Sequence, residues 1–270
     1  MYPQPTLVLV PGSFATTDMY EPLVAPLRAK GHTIHVLEPP CYPASYKTSS
    51  GKPPPSMYDD AKFINTFVVE LIEEGKEVVV LAHSYGGIPA SESLKGVTKK
   101  EREQLGKKGG VVRIAYLAAI VPRIGQSLGG FTDGNDTLPV EVGEDGWMFQ
   151  PDSAATARVC FNNLSPETGA AAAAKFGKHY SACFGDKLTH NGYKDIPVSW
   201  LLCEEDLCVI PEMQQTSIVA IEESWVGTER EGRKVDITRA SCDHIPIVDE
   251  GKRKEVSQWV EKILKMGGQE

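Results

Sequence analysis

Four stretches of this 270-residue chain, Thr6–Val10, Glu77–Ala82, Val111–Val121 and Val198–Cys203, are nearly unbroken apolar runs rich in β-branched residues. A strand with one wet face alternates apolar and polar residues, so an unbroken run means a strand covered on both faces. Thr33–Leu37 and Val235–Thr238 read as two further strands. Between them lie helical stretches. Met19–Lys30 is closed by Gly31, Met57–Glu74 is capped by Ser56 with Asp59 three residues on, Pro211 opens another helix, and Val248–Met266 is amphipathic. Strands alternating with helices give a mostly parallel sheet with helices on both faces, the α/β class.

Two segments break this rhythm. Pro39–Pro55 holds six prolines and reads as a long irregular loop, and a charged loop is expected around Lys99–Lys108. Residues 122–197 show no comparable β run and are helix-prone at Ala154–Ala157 and Thr168–Phe176. About 75 residues is too long for a connector between neighbouring strands, so 122–197 is expected to be a helical cap. The core is then 1–121 with 198–270.

Charge and cysteines narrow the partners. A net charge of −8 argues against nucleic acid and anionic membranes, which select a Lys/Arg surplus. Apolar runs stay well short of the ~18 residues of a membrane span. The six cysteines (41, 160, 183, 203, 208 and 242) form no C-x-x-C pair and are expected as reduced thiols. Met1–Pro11 has a five-residue apolar run and no basic leader, so the expected address is the cytoplasm. The sequons at Asn135 and Asn163 read as chance matches. No H-e-x-x-h zinc pattern, Rossmann motif or P-loop occurs, so neither a metal nor another cofactor is implied, and a small molecule is the expected partner.

Chemistry concentrates at Ala82-His83-Ser84-Tyr85-Gly86-Gly87, directly after a strand. A serine flanked at both sides by small residues fits a strand-to-helix turn too tight for larger side chains, with its hydroxyl raised above the sheet. Such a serine needs a base and a group to orient that base. Of six histidines, His244 sits in the loop after the last strand, where it can swing over Ser84. Asp206, just past Val198–Cys203, is the expected acid, with Glu204 and Glu205 as substitutes. The order Ser84, Asp206, His244 matches α/β-hydrolases. An oxyanion hole is expected from the backbone N–H groups of Tyr85 and Ser13. Phe14, Tyr85, Trp147 and Phe149 are candidate pocket walls.

The chain resembles the α/β-hydrolase superfamily over nearly its whole length. More narrowly it is similar to the small-esterase branch of plant methylesterases, salicylate-binding protein and hydroxynitrile lyases. The segments Val8–Phe14, Ser56–Ala61, Ala82–Gly87, Gly109–Ala119, Leu201–Asp206 and Asp243–Pro246 carry the likeness, although Pro11-Gly12 stands where the family has His-Gly. The resemblance implies eight strands, a helical cap after the sixth, the acid after the seventh and the histidine after the eighth. Its expected activity is serine hydrolysis of a small ester, thioester or lactone. Two other readings stand beside it. One is non-hydrolytic chemistry (lyase, retro-aldol, cyclase or decarboxylase) on a polyketide-like or aromatic metabolite, and the other is a small-molecule receptor. The lyases of this branch carry a lysine after the histidine and a threonine in the oxyanion loop. Here those positions are Ile245 and Gly12, which favours hydrolysis over cyanohydrin cleavage.

Overall fold

A computed structural model describes residues 4–43, 54–132 and 138–270. In chain order its elements are β1 (Thr6–Val10), α1 (Glu21–Ala29), β2 (Ile34–Val36), α2 (Met57–Glu73), β3 (Glu77–His83), α3 (Gly87–Glu92), α4 (Lys99–Gln104) and β4 (Gly110–Leu117). Then come α5 (Leu128–Thr132), β5 (Glu141–Val142), β6 (Trp147–Phe149), α6 (Ser153–Cys160), α7 (Pro166–Ala173) and β7 (His179–Tyr180). The chain closes with β8 (Val198–Cys203), α8 (Pro211–Glu223), β9 (Asp236–Ala240) and α9 (Glu250–Met266).

Six strands form one sheet in the order β2-β1-β3-β4-β8-β9, and every pairing in it is parallel. Alternation along each strand feeds two cores. Leu7 and Leu9 of β1, with Val79 and Leu81 of β3, pack in the layer built from α1 and α9. Val8 and Val10, with Val78 and Val80, pack in the layer of α2, α3 and α8. Each such side chain contributes about 1.5–3 kcal/mol on burial, and that demand from both faces is why the runs are unbroken. From β1 the chain crosses to β2 on one side and later to β3 on the other. The C-terminal ends of β1 and β3 therefore flank the point where the winding reverses, and open α/β sheets bind ligands at such a point.

Where the resemblance implies eight strands, the parallel sheet has six among the described residues. The segment expected after the sixth strand follows the fourth, and the two expected loops follow the fifth and sixth. Each place is two lower than implied, so the unfilled places are the first two. Beyond β2, Pro39, Pro40 and Pro43 lack the N–H donors that would continue a ladder.

Other differences have local causes. The run Val111–Val121 leaves the sheet after Leu117, where Ala118 takes φ +43°. Ala119 to Val121 stay apolar because they are buried beneath the turn at Ser84, with the Ile120 N–H donating to the Ser84 carbonyl at 3.1 Å. The charged stretch around Lys99–Lys108 contains α4, because Thr98 and Glu101 form a reciprocal capping box. The segment between β4 and β8 is not purely helical. β5, β6 and β7 form a small antiparallel sheet whose two- and three-residue strands are too short to leave a period in the sequence. Asn135 lies outside the described residues, as does most of the Pro39–Pro55 loop. No helix among the described residues is long and apolar enough to cross a membrane.

Candidate active site

The turn after β3 holds Ser84 at φ +54°, a left-handed conformation that costs a non-glycine residue roughly 1–2 kcal/mol. The sequence around it is small because nothing larger fits. A Cβ on Gly86 would lie 2.4 Å from the Pro11 carbonyl oxygen, and one on Gly87 2.6 Å from that of Ile120. Close packing of these backbones fixes the serine where β1 and β3 end.

Three loops at the same end of the sheet meet there. The His244 Nε2 lies 3.0 Å from Ser84 Oγ, and its Nδ1 lies 2.8 Å from Asp206 Oδ2. Asp206 is fully buried, and its Oδ1 accepts the N–H groups of Cys208 and Val209, both at 2.8 Å. That turn leaves Oδ2 for the imidazole. Gln214 of α8 secures the loop, its Nε2 donating to the carbonyls of Cys203 at 3.1 Å and Val209 at 2.8 Å. Burial opposes a charge on His244, but the Asp206 carboxylate and the adjacent Cys208 sulfur outweigh it and hold the imidazole well above the ordinary histidine value.

The rejected acids are occupied elsewhere. Glu204 pairs with Arg239, while Glu205 accepts from Asn163 Nδ2 at 2.6 Å. Asn163 also accepts the Asp243 N–H at 2.7 Å and donates its own N–H to the Asp243 carboxylate at 3.0 Å. Its amide therefore ties the loop carrying Asp206 to the loop carrying His244, a role that the sequon reading missed.

The loop after β1 is held from several sides. Tyr20 Oη accepts the Gly12 N–H at 2.9 Å and donates to His83 Nδ1 at 2.7 Å, so His83 Nε2 carries the hydrogen donated to the His244 carbonyl at 2.9 Å. Burial brings the His83 pKa down to about 3, so it serves as a neutral strut between the two loops. Tyr42 Oη donates to the Pro11 carbonyl at 3.0 Å. The amide of Ser13, which lies outside any helix or strand, has no hydrogen-bond partner among the described residues, and that of Tyr85 stands in the helical turn directly after β3.

Ser84 opens into a cavity of about 300 Å³ that Ser13, Phe14, Tyr85, Leu128, Met148 and Phe184 help to line, and among the described residues no Asp, Glu, Lys or Arg side chain lines it. Of the expected walls, Phe14 and Tyr85 are present, whereas Trp147 and Phe149 are not. Alternation along β6 explains this: Met148 faces the cavity, so its neighbours face away. Trp147 packs on Tyr180 with ring centroids 5.5 Å apart, and Phe149 lies beneath Lys178 Nζ at 5.6 Å. The described part of the Pro39–Pro55 loop lines a separate cleft against α2. Gly12 has no room for a side chain, since a Cβ there would meet His83 and Ser84 at 3.0 Å, and Ile245 is buried in the core.

None of the six cysteines forms a disulfide; Cys208 is half-buried and the others are buried. The fold also gathers Cys41, His179 and Cys183, with ligand atoms within 4.8 Å of one another, a donor set that could hold a soft cation and that spacing did not reveal. Cys183 Sγ donates to Cys41 Sγ at 2.6 Å, and Cys41 Sγ to the Ser56 carbonyl at 3.1 Å, so both thiols are engaged within the protein.

Comparison with known proteins agrees with this architecture. The model of the alpha/beta hydrolase family matches residues 7–256. A curated relative, "Probable hydrolase R7" of a Phoma species, is 34% identical over 251 residues, covering 90% of this chain and 92% of that protein. Among solved structures, tomato methylketone synthase I with bound 2-tridecanone superposes with a TM-score of 0.73 at 15% identity, covering 98% of this chain and all of that one. Polyneuridine aldehyde esterase superposes with a TM-score of 0.66 at 17% identity, covering 97% and 99%. The chain belongs to the α/β-hydrolase family and is a hydrolase enzyme of it.

Proposed function

We propose that the protein is a serine esterase that cleaves small, uncharged, largely apolar carboxylic esters, thioesters or lactones. The observation that carries this reading is the bonded series Asp206, His244, Ser84 opening into a cavity that no Asp, Glu, Lys or Arg lines among the described residues. His244 Nε2 takes the Ser84 proton as Oγ attacks the substrate carbonyl. The oxygen that becomes negative is met by the N–H groups of Ser13 and Tyr85, each such donor being worth about 3–4 kcal/mol. Tyr85 lies in the first turn of a helix, where N–H groups lack intrahelical partners and the dipole favours an anion. The imidazolium, steadied by Asp206, protonates the departing alcohol or thiol. Water then releases the acyl group by the same route in reverse.

Specificity follows from the wall. A charged acyl group would lose hydration without gaining a partner, whereas an alkyl or aryl group gains roughly 0.8 kcal/mol per buried CH2. Cyanohydrin cleavage is not favoured, because cyanide departs as an anion and neither Ile245 nor Gly12 offers it a charge.

The test combines labelling with a substrate series. A fluorophosphonate probe should modify Ser84, mapped by peptide mass spectrometry, and p-nitrophenyl esters should show kcat/KM rising with acyl length until the cavity is full. A hemisuccinate ester turned over as fast as a neutral ester of the same length, or cyanide release from mandelonitrile at a rate matching ester cleavage, would overturn the reading.

A further inference from the structure

The segment between β4 and β8 reaches into the loop that follows β1. At the start of β7 the ring of His179, wholly buried, makes a short contact through Nδ1 with Ser13 Oγ. Two backbone bonds hold the same segment, one to the loop after β1, from the Gly177 N–H to the Phe14 carbonyl at 2.7 Å, and one to the stretch after β2, from the Tyr180 N–H to the Cys41 carbonyl at 2.9 Å. His179 is enclosed by aromatic rings: Tyr42 stacks on it at 4.8 Å, while Tyr85 and Phe184 meet it edge-on at 4.5 and 4.9 Å. Its Nε2 has no hydrogen-bond partner. A neutral imidazole carries one N–H, on one or other of its two nitrogens.

Where that hydrogen sits decides what Ser13 can do. A buried donor left without a partner is rarer than an acceptor left so. Nε2, facing rings, is therefore the nitrogen that goes bare, and Nδ1 holds the hydrogen and donates it to Ser13 Oγ. The Ser13 hydroxyl then keeps its own hydrogen for another acceptor. Ser13 lines the cavity beside Ser84 and Tyr85, so the hydroxyl is placed where a substrate oxygen in that cavity can accept from it.

We propose that Ser13 supplies its hydroxyl as a third donor to the developing oxyanion, and that His179 is the positioning residue that turns it there. This rests on the esterase reading above. It makes the segment between β4 and β8 part of the oxyanion hole as well as a wall of the pocket.

Steady-state kinetics with a p-nitrophenyl ester test it, with Tm measured for each variant and fluorophosphonate labelling run in parallel. Ser13→Ala keeps both backbone amides and should lower kcat by on the order of 10²-fold with KM unchanged. His179→Leu should cause the same loss, and the Ser13→Ala/His179→Leu double variant no further loss. His179→Asn, whose amide N–H falls near the place of Nδ1, should recover most of the rate. If His179→Leu fails to fold, Ser13→Ala and His179→Asn still decide the matter. Wild-type kcat in Ser13→Ala, a loss confined to KM, or losses that multiply in the double variant would each overturn this proposal while Ser84 still labels. Failure of Ser84 to label in the wild-type enzyme would instead overturn the esterase reading beneath it.

Discussion

His244 meets Ser84 at 3.0 Å and Asp206 at 2.8 Å, so the three side chains are set to act as one unit. Ser84→Ala and His244→Ala should each abolish turnover with the fold intact, and the double variant should be hardly slower than either single one. Losses that multiply, measured as kcat/KM on an aryl acetate, would break the pairing. Asp206→Asn should lower kcat by about 10⁴-fold with little change in KM, since the carboxylate orients the imidazole and does not bind substrate. Its pH profile carries a sign. On the proposed mechanism turnover needs neutral His244, whose pKa lies well above the ordinary histidine value, so wild-type activity should fall as pH drops through that raised value. Removing the carboxylate destabilises the imidazolium and lowers this pKa, so the acid limb of Asp206→Asn should move to lower pH. Glu205→Gln should leave the limb in place because that side chain faces Asn163.

At the scale of elements, α2 starts with the Ser56–Asp59 capping box and then buries the neighbouring carboxyl, Asp60. Asp60 accepts the Cys41 N–H at 2.9 Å and the Tyr85 hydroxyl at 3.3 Å, so it braces the residue that follows the nucleophile. Burial raises its pKa from 3.8 to about 7. A carboxyl that binds its proton more tightly when folded contributes stability that is full below the unfolded pKa and is lost as pH rises through the folded one. Wild-type Tm should therefore fall between about pH 4 and pH 7 relative to Asp60→Asn. Thermal unfolding of both proteins across that range checks it, and parallel curves would place the proton elsewhere. The capping box is local and was legible from Ser56 and Asp59. Partners of Asp60 were not, because Cys41 and Tyr85 are brought to it by β2, β3 and the sheet between them.

For the whole molecule, the buried Arg113 of β4 joins the sheet to the chain end. Its guanidinium donates to the Gly267 carbonyl at 2.8 Å, to Ser199 Oγ at 2.7 Å and to the Gln269 carbonyl. Arg113→Ala leaves the buried Gly267 carbonyl without this donor, while Ser199 keeps Asp236 and Gln269 is exposed, so it should cost about 2 kcal/mol. Urea unfolding measures this, and because the site lies at the other end of β4, kcat should be unchanged below the transition. A loss within 0.5 kcal/mol, roughly that of a surface substitution, would show that the carbonyls find water instead.

Sequence alone determined whatever a short span of chain expresses: the doubly buried strands, the cap of α2, the tight turn at Ser84 and the order of serine, acid and histidine along the chain. These follow from periodicity, from the size of residues 82 to 87 and from where loops fall after strands. Tertiary structure decided what depends on residues far apart. It chose Met148 over Trp147 and Phe149 for the wall, because facing on a three-residue strand is set by what the strand lies against. It turned Asn163 into a tie between two loops and His83 into a strut between two others, and it brought His179 to Ser13 across 166 positions. A hydrogen bond between distant residues leaves no period and no motif, so only the packing of the sheet and the segments above it could set these contacts.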